Sequence, residues 1–235
     1  MRWFIVDLKR ALTERTFIAS VTVGCVVLMM GLVTYLMQET DIKQAQEAFV
    51  ASQSLIMPFI APILAALPYS NMSMLEKDTG YKRLILTKNK MKTYKGSRFI
   101  VNAIVGGLAI TLPLVVLAGL CGGFSPYSDY EAILRVIGLD FWFGAAYASI
   151  AYGLTFVNTK RYIPLVAPQV LYLLFIYAFP YLNLEKFYPP LAFSPWLLPT
   201  YAEETLLLLQ LGLMILGSAL IVVGAHIYEK LEGLR

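Results

Sequence analysis

The sequence predicts an all-α polytopic membrane protein, with six transmembrane helices preceded by an N-terminal amphipathic helix in the interface. Three observations carry this. Of 235 residues, 58% are hydrophobic and 14% charged, against about 45–50% and about a quarter in a soluble domain. Mean hydropathy is +0.66. Six charge-free runs, at 16–38, 48–75, 99–128, 141–159, 162–184 and 205–228, reach the roughly 20 residues that a spanning helix needs. The two cysteines are too few for a disulfide-stapled scaffold, and the apolar content excludes disorder. The alternating pattern of a membrane barrel is absent, which leaves helices as the structure that satisfies its own backbone in lipid.

Residues 1–16 come first. Trp3, Phe4, Val6 and Leu8 are among their apolar residues, and Trp3, Ile5 or Val6, and the group Leu8, Ala11 and Leu12 can share one helical face, opposite Lys9, Arg10 and Arg15. That pattern suits a helix lying in the membrane interface, the alternative being an ordinary basic flank. The spans are expected near 17–37, 53–74, 99–120, 136–157, 162–182 and 205–225, which leaves a single membrane domain over 1–235. The first span exceeds the apolar core of a cleaved signal, and no small-residue cleavage site follows it.

Charge then orients the chain. With the N-terminus inside, the cytoplasmic segments hold Arg2, Lys9, Arg10, Arg15, Lys160, Arg161, Lys230 and Arg235. The loop after the second span adds Lys77, Lys82, Arg83, Lys88, Lys90, Lys92, Lys95 and Arg98. Only Lys43, Arg135 and Lys186 remain outside. Both termini are therefore expected in the cytoplasm of a multi-pass plasma-membrane protein, and the net charge of +4 reflects topology and not nucleic acid.

The loop over 71–98 is the most informative stretch. Leu75, Leu84, Ile85 and Leu86 stand among its charges, and Gly80 divides it. A loop serving topology alone has no reason to expose leucines, whereas a docking loop does. Both readings stand on composition.

The string Glu76-Lys77-Asp78-Thr79-Gly80-Tyr81-Lys82-Arg83-Leu84-Ile85-Leu86-Thr87, leading through Lys95 into the third span, resembles the cytoplasmic loop of type-2 ATP-binding-cassette (ABC) permeases. The six-span count, amphipathic start and short outer loops resemble that family too. Many members have a proline after the Leu-Leu-Thr run, where this chain has Lys88-Asn89-Lys90. The resemblance implies an exporter made of two permeases, a second copy or a paralogue, and two cytoplasmic ATPase subunits. The chain has no G-x-x-x-x-G-K-[ST] phosphate loop, so ATP and Mg would be bound by the partner ATPase. The loop would dock in an ATPase groove, with Leu75, Leu84 and Ile85 as apolar anchors, Glu76, Lys77, Asp78 and Arg83 as polar contacts, and Thr79-Gly80 between them.

Residues 187–202 are uncharged and hold Pro189, Pro190, Pro195 and Pro199, with Phe193 and Trp196 between them. Backbone so interrupted cannot face bare lipid. In the family, short re-entrant helices close the outer mouth here, making Pro189, Pro190, Phe193, Pro195 and Trp196 an outer gate. An aromatic loop anchored at the headgroups is the alternative.

The remaining features are simpler. Cys25 and Cys121 read as buried small residues, not metal ligands. Gly119 and Gly123, and Gly212, Gly217 and Gly224, suit close helix packing. Asp140 reads as an interfacial charge at a helix N-terminus, with contact to a cationic substrate as the alternative. His226 reads as an interface residue. Glu203-Glu204 lacks the arginine and histidines of an intramembrane protease, and an enzyme is not expected. Among cargoes, a small amphipathic or antimicrobial peptide is preferred over lipid, polysaccharide or drug. A non-transport immunity or structural protein is the rival.

Overall fold

Proline and glycine decide where these helices bend and where they touch. The structure is a computed structural model and describes residues 2–38, 45–81, 87, 91–158, 160–194 and 203–232. The helices are α1 (Arg2–Thr13), α2 (Arg15–Gln38), α3 (Ala45–Leu55), α4 (Met57–Ala66), α5 (Met72–Asp78), α6 (Met91–Phe124), α7 (Tyr130–Val157), α8 (Ile163–Tyr181) and α9 (Glu203–Glu232). Two single 3-10 turns, Glu185–Phe187 and Pro189–Ala192, lie between α8 and α9. Among the described residues there is no strand.

Five of these helices, α2, α6, α7, α8 and α9, are long and apolar enough to cross a membrane. The second expected span is different. In place of one helix over 53–74, α3 and α4 meet at Ile56 with a bend of 68°. Pro58 has no N–H for the Ser54 carbonyl and its ring crowds that carbonyl, which breaks the helix there. Pro68 likewise leaves the Leu64 carbonyl without a helical donor, and Ser20 of α2 supplies one, Oγ to O, at 2.6 Å. Thr16 donates to the Pro68 carbonyl at 2.7 Å, so α2 satisfies two carbonyls at the C-terminal end of α4.

The centre of the bundle is α7, packed against α9, α6, α4 and α8. Glycine permits the approach of α9: a Cβ on Gly217 would lie 2.6 Å from the Ser149 carbonyl. Gly144 meets the backbone of Gly106 on α6 just as closely, at 2.5 Å. A Cβ on Gly119, Gly123 or Gly212 would meet nothing within 4 Å among the described residues, so no close helix approach requires glycine there. The expected start of the fourth span near 136 moves to Tyr130, because Asp129 caps the helix by accepting from the Ala132 N–H at 3.0 Å.

Candidate functional site

Two ends of the bundle can be told apart. The basic end holds α1, α5 and the 160–162 turn, and the far end holds 125–129 and 182–194.

At the basic end, α5 is a helix of seven residues. It stops at Gly80, whose φ of +73° is the left-handed conformation that glycine adopts freely. One face turns inward. Glu76 is 2% exposed and accepts from Arg10 of α1 at 2.8 Å, from Tyr94 of α6 at 2.7 Å and from the Arg98 guanidinium. Arg98 is itself 1% exposed, pairs with Asp7 of α1 at 3.3 Å, and lies over the Tyr69 ring at 5.0 Å. Burial raises the Asp7 and Glu76 carboxyls above their ordinary range, opposed by Arg98 and Arg10 at Asp7 and by Tyr94 and Arg10 at Glu76. The opposite face of α5 is also tied. Asp78 pairs with Arg161, and Asn71 donates to the Arg161 carbonyl at 2.7 Å. One short helix thus joins α1, α6 and the α7–α8 turn.

This arrangement corrects two expectations. Glu76 does not lie on a docking surface, because its carboxylate is enclosed by Arg10, Arg98 and Tyr94. The packed face of α1 is not purely apolar: Asp7 and Ala11 are buried there, with Phe4, Leu8 and Leu12 against Phe17, Tyr69 and Val101. Ile5 and Val6 are exposed instead. Trp3 is in α1, with its side chain outside the described residues. The exposed residues of α5 and its end are Leu75, Lys77, Asp78 and Thr79. Arg83, Leu84 and Ile85 lie outside the described residues.

At the far end, residues 189–194 are tucked into protein. Leu191, Ala192, Phe193 and Ser194 are buried, Pro189 is buried and Pro190 half-buried. Gln53, beside the α3–α4 break, donates to the Phe193 carbonyl. The Phe193 ring packs edge-on 5.0 Å from Phe143. These residues are buried against protein, whereas Pro195 and Trp196 lie outside the described ones. Asp140 is not at a helix N-terminus. It lies about three turns into α7 and is fully buried, a placement that the charge-free-run reading missed because Phe141 opened the run.

An apolar groove of about 540 Å³ runs between α7, α8 and α9, lined among others by Ile150, Leu154, Val166, Val170 and Leu216. Neither cysteine is in a disulfide. No group of three His, Cys, Asp or Glu that could hold a metal occurs among the described residues.

No protein-family model, no curated protein and no solved structure matches this chain. The site geometry therefore carries the functional argument.

Proposed function

We propose that the chain is the membrane permease subunit of an ABC exporter, driven by a separate cytoplasmic ATPase that binds the ATP and Mg. In this reading it spans the plasma membrane six times, the α3–α4 pair counting as one span, with both termini in the cytoplasm. It works with a second permease, and α1 lies in the interface against membrane lipid.

The observation that supports this most is the linkage through α5. A helix that carries Leu75, Lys77 and Thr79 on its exposed side is held from within by α1 and α6 and from the side by Arg161. A force on the exposed side reaches three membrane elements at once, which is what coupling to a moving ATPase requires. The buried 189–194 segment is the outer gate of this reading. The apolar groove between α7, α8 and α9 suits a small amphipathic peptide as cargo.

The test is co-purification of the full chain with ATPase subunits encoded alongside it, followed by ATPase activity in reconstituted membranes. Leu75→Asp should reduce ATPase capture and transport-linked hydrolysis while the chain still inserts. Unchanged capture and hydrolysis would reduce the loop to a topology determinant. Reporter fusions at Arg235 and at Tyr127 test orientation independently: the first should report cytoplasm and the second outside.

A further inference from the structure

Asp140 is 0% exposed, and neither carboxylate oxygen has a hydrogen-bond or ion-pair partner among the described residues. A bare carboxylate in an apolar interior is not tolerated; it is neutralised or paired. The unpaired polar atoms of this half of the bundle are two amide oxygens, which accept, and three hydroxyls, which donate or accept, and none of them pairs with Asp140. Gln210 of α9 donates through Nε2 to the carbonyl of Leu139, the residue before Asp140, and its Oε1 has no partner. Gln53 donates to the Phe193 carbonyl and its Oε1 is likewise unpaired, as are the hydroxyls of Ser194, Tyr147 and Tyr172. Phe143, one turn from Asp140, links these groups by packing 5.0 Å from Phe193 and 5.7 Å from Tyr172.

We propose that Asp140 binds a small monovalent cation, a proton or Na⁺, in the far half of the bundle. Every unpaired group there is an oxygen, the donor set of a hard cation. A single carboxyl matches a single positive charge, and no metal-ligating cluster of three acids, histidines or cysteines occurs among the described residues. The rings of Phe143, Tyr147, Tyr172 and Phe193 pack with centroids 4.5 to 5.7 Å apart. Among the described residues no basic group pairs with Asp140. On α7 itself Arg135 is exposed and pairs with Glu131, and with Glu203 at the start of α9. Among the described residues, α8 contributes Tyr172, the 182–194 segment Tyr188, which packs on the cluster of Leu139, and the far half of α6 only the thiol of Cys121; α4 has no titratable residue. This site stands apart from the exporter reading and survives its failure.

Infrared difference spectroscopy of the full-length protein in lipid nanodiscs tests the proposal. In Na⁺-free choline buffer the wild type should show the carbonyl stretch of a protonated, buried carboxyl at acid pH and lose it at alkaline pH. Asp140→Asn should lack the band, and Asp140→Glu should displace it, which assigns the band even if the asparagine variant folds poorly. If Na⁺ is the ligand, NaCl should abolish the band at constant pH, or raise the melting temperature of the wild type and not of Asp140→Asn, where choline chloride does neither. If the proton alone binds, NaCl should have no effect on a band that still titrates. A band unchanged from acid to alkaline pH and by NaCl would mean a permanently locked acid and would overturn the proposal. Absence of both a band and an Asp140-dependent NaCl effect would overturn it as well.

Discussion

Arg98 and Glu76 form an ion pair in which the two side chains are 1% and 2% exposed, and the pair joins α6 to α5 across 22 positions of sequence. Removing one partner of a buried pair leaves the other charge uncompensated and costs about 3–5 kcal/mol. Glu76→Leu should therefore lower the melting temperature in detergent sharply. Arg10→Ala should cost about 0–1 kcal/mol, because Arg10 is 37% exposed. Thermal unfolding followed by circular dichroism measures both. Equal effects would show that Arg98 is not the principal partner of Glu76.

The pair Asp78–Arg161 is different in kind. Both side chains are about half exposed, so its loss should change stability by no more than about 1 kcal/mol. Under the exporter reading, Asp78→Asn should leave ATPase capture intact and reduce cargo export per ATP hydrolysed. An unchanged ratio would remove the α7–α8 turn from the coupling path.

Gln53 holds the far-end segment through the Phe193 carbonyl. Gln53→Leu removes a hydrogen bond worth about 0.5–1.5 kcal/mol and should loosen residues 189–194. A thiol placed by Ser194→Cys should then react faster with a water-soluble maleimide in the Gln53→Leu background. Equal labelling rates would mean that packing on Phe143 holds the segment by itself.

Helix α9 offers an internal comparison. A side chain at Gly217 meets the Ser149 backbone of α7, whereas one at Gly212 meets nothing within 4 Å. Gly217→Leu should destabilise by at least the 1–3 kcal/mol, approximately, of an overpacked core, and Gly212→Leu should stay within about 0.5 kcal/mol. Similar melting temperatures for the two variants would contradict the observed α7–α9 contact.

Composition and run length determined the class of this protein by themselves, because an apolar run near 20 residues has few other ways to satisfy its backbone. The helices α2, α6, α8 and α9 fall where the charge-free runs place them, within a few residues at most ends and farther where polar residues extend the helix. Sequence also singled out the α5 region and the proline-rich segment before α9, since leucines among charges and uncharged prolines are local signals. The fates of particular polar residues were not legible. Glu76 reads as an exposed loop charge until Arg98, 22 positions away, folds against it. Asp140 reads as a rim charge until α9 packs beside it, with Gln210 bonded to the Leu139 carbonyl, and it is fully buried. The bend between α3 and α4 was written in Pro58 and the end of α4 in Pro68, but the hydroxyls that satisfy the carbonyls at that end come from α2, 44 and 52 residues away. Local chemistry decides whether a helix forms. Which of its faces meets protein, and so which charges are enclosed, is decided only by the partners that tertiary packing brings from elsewhere in the chain.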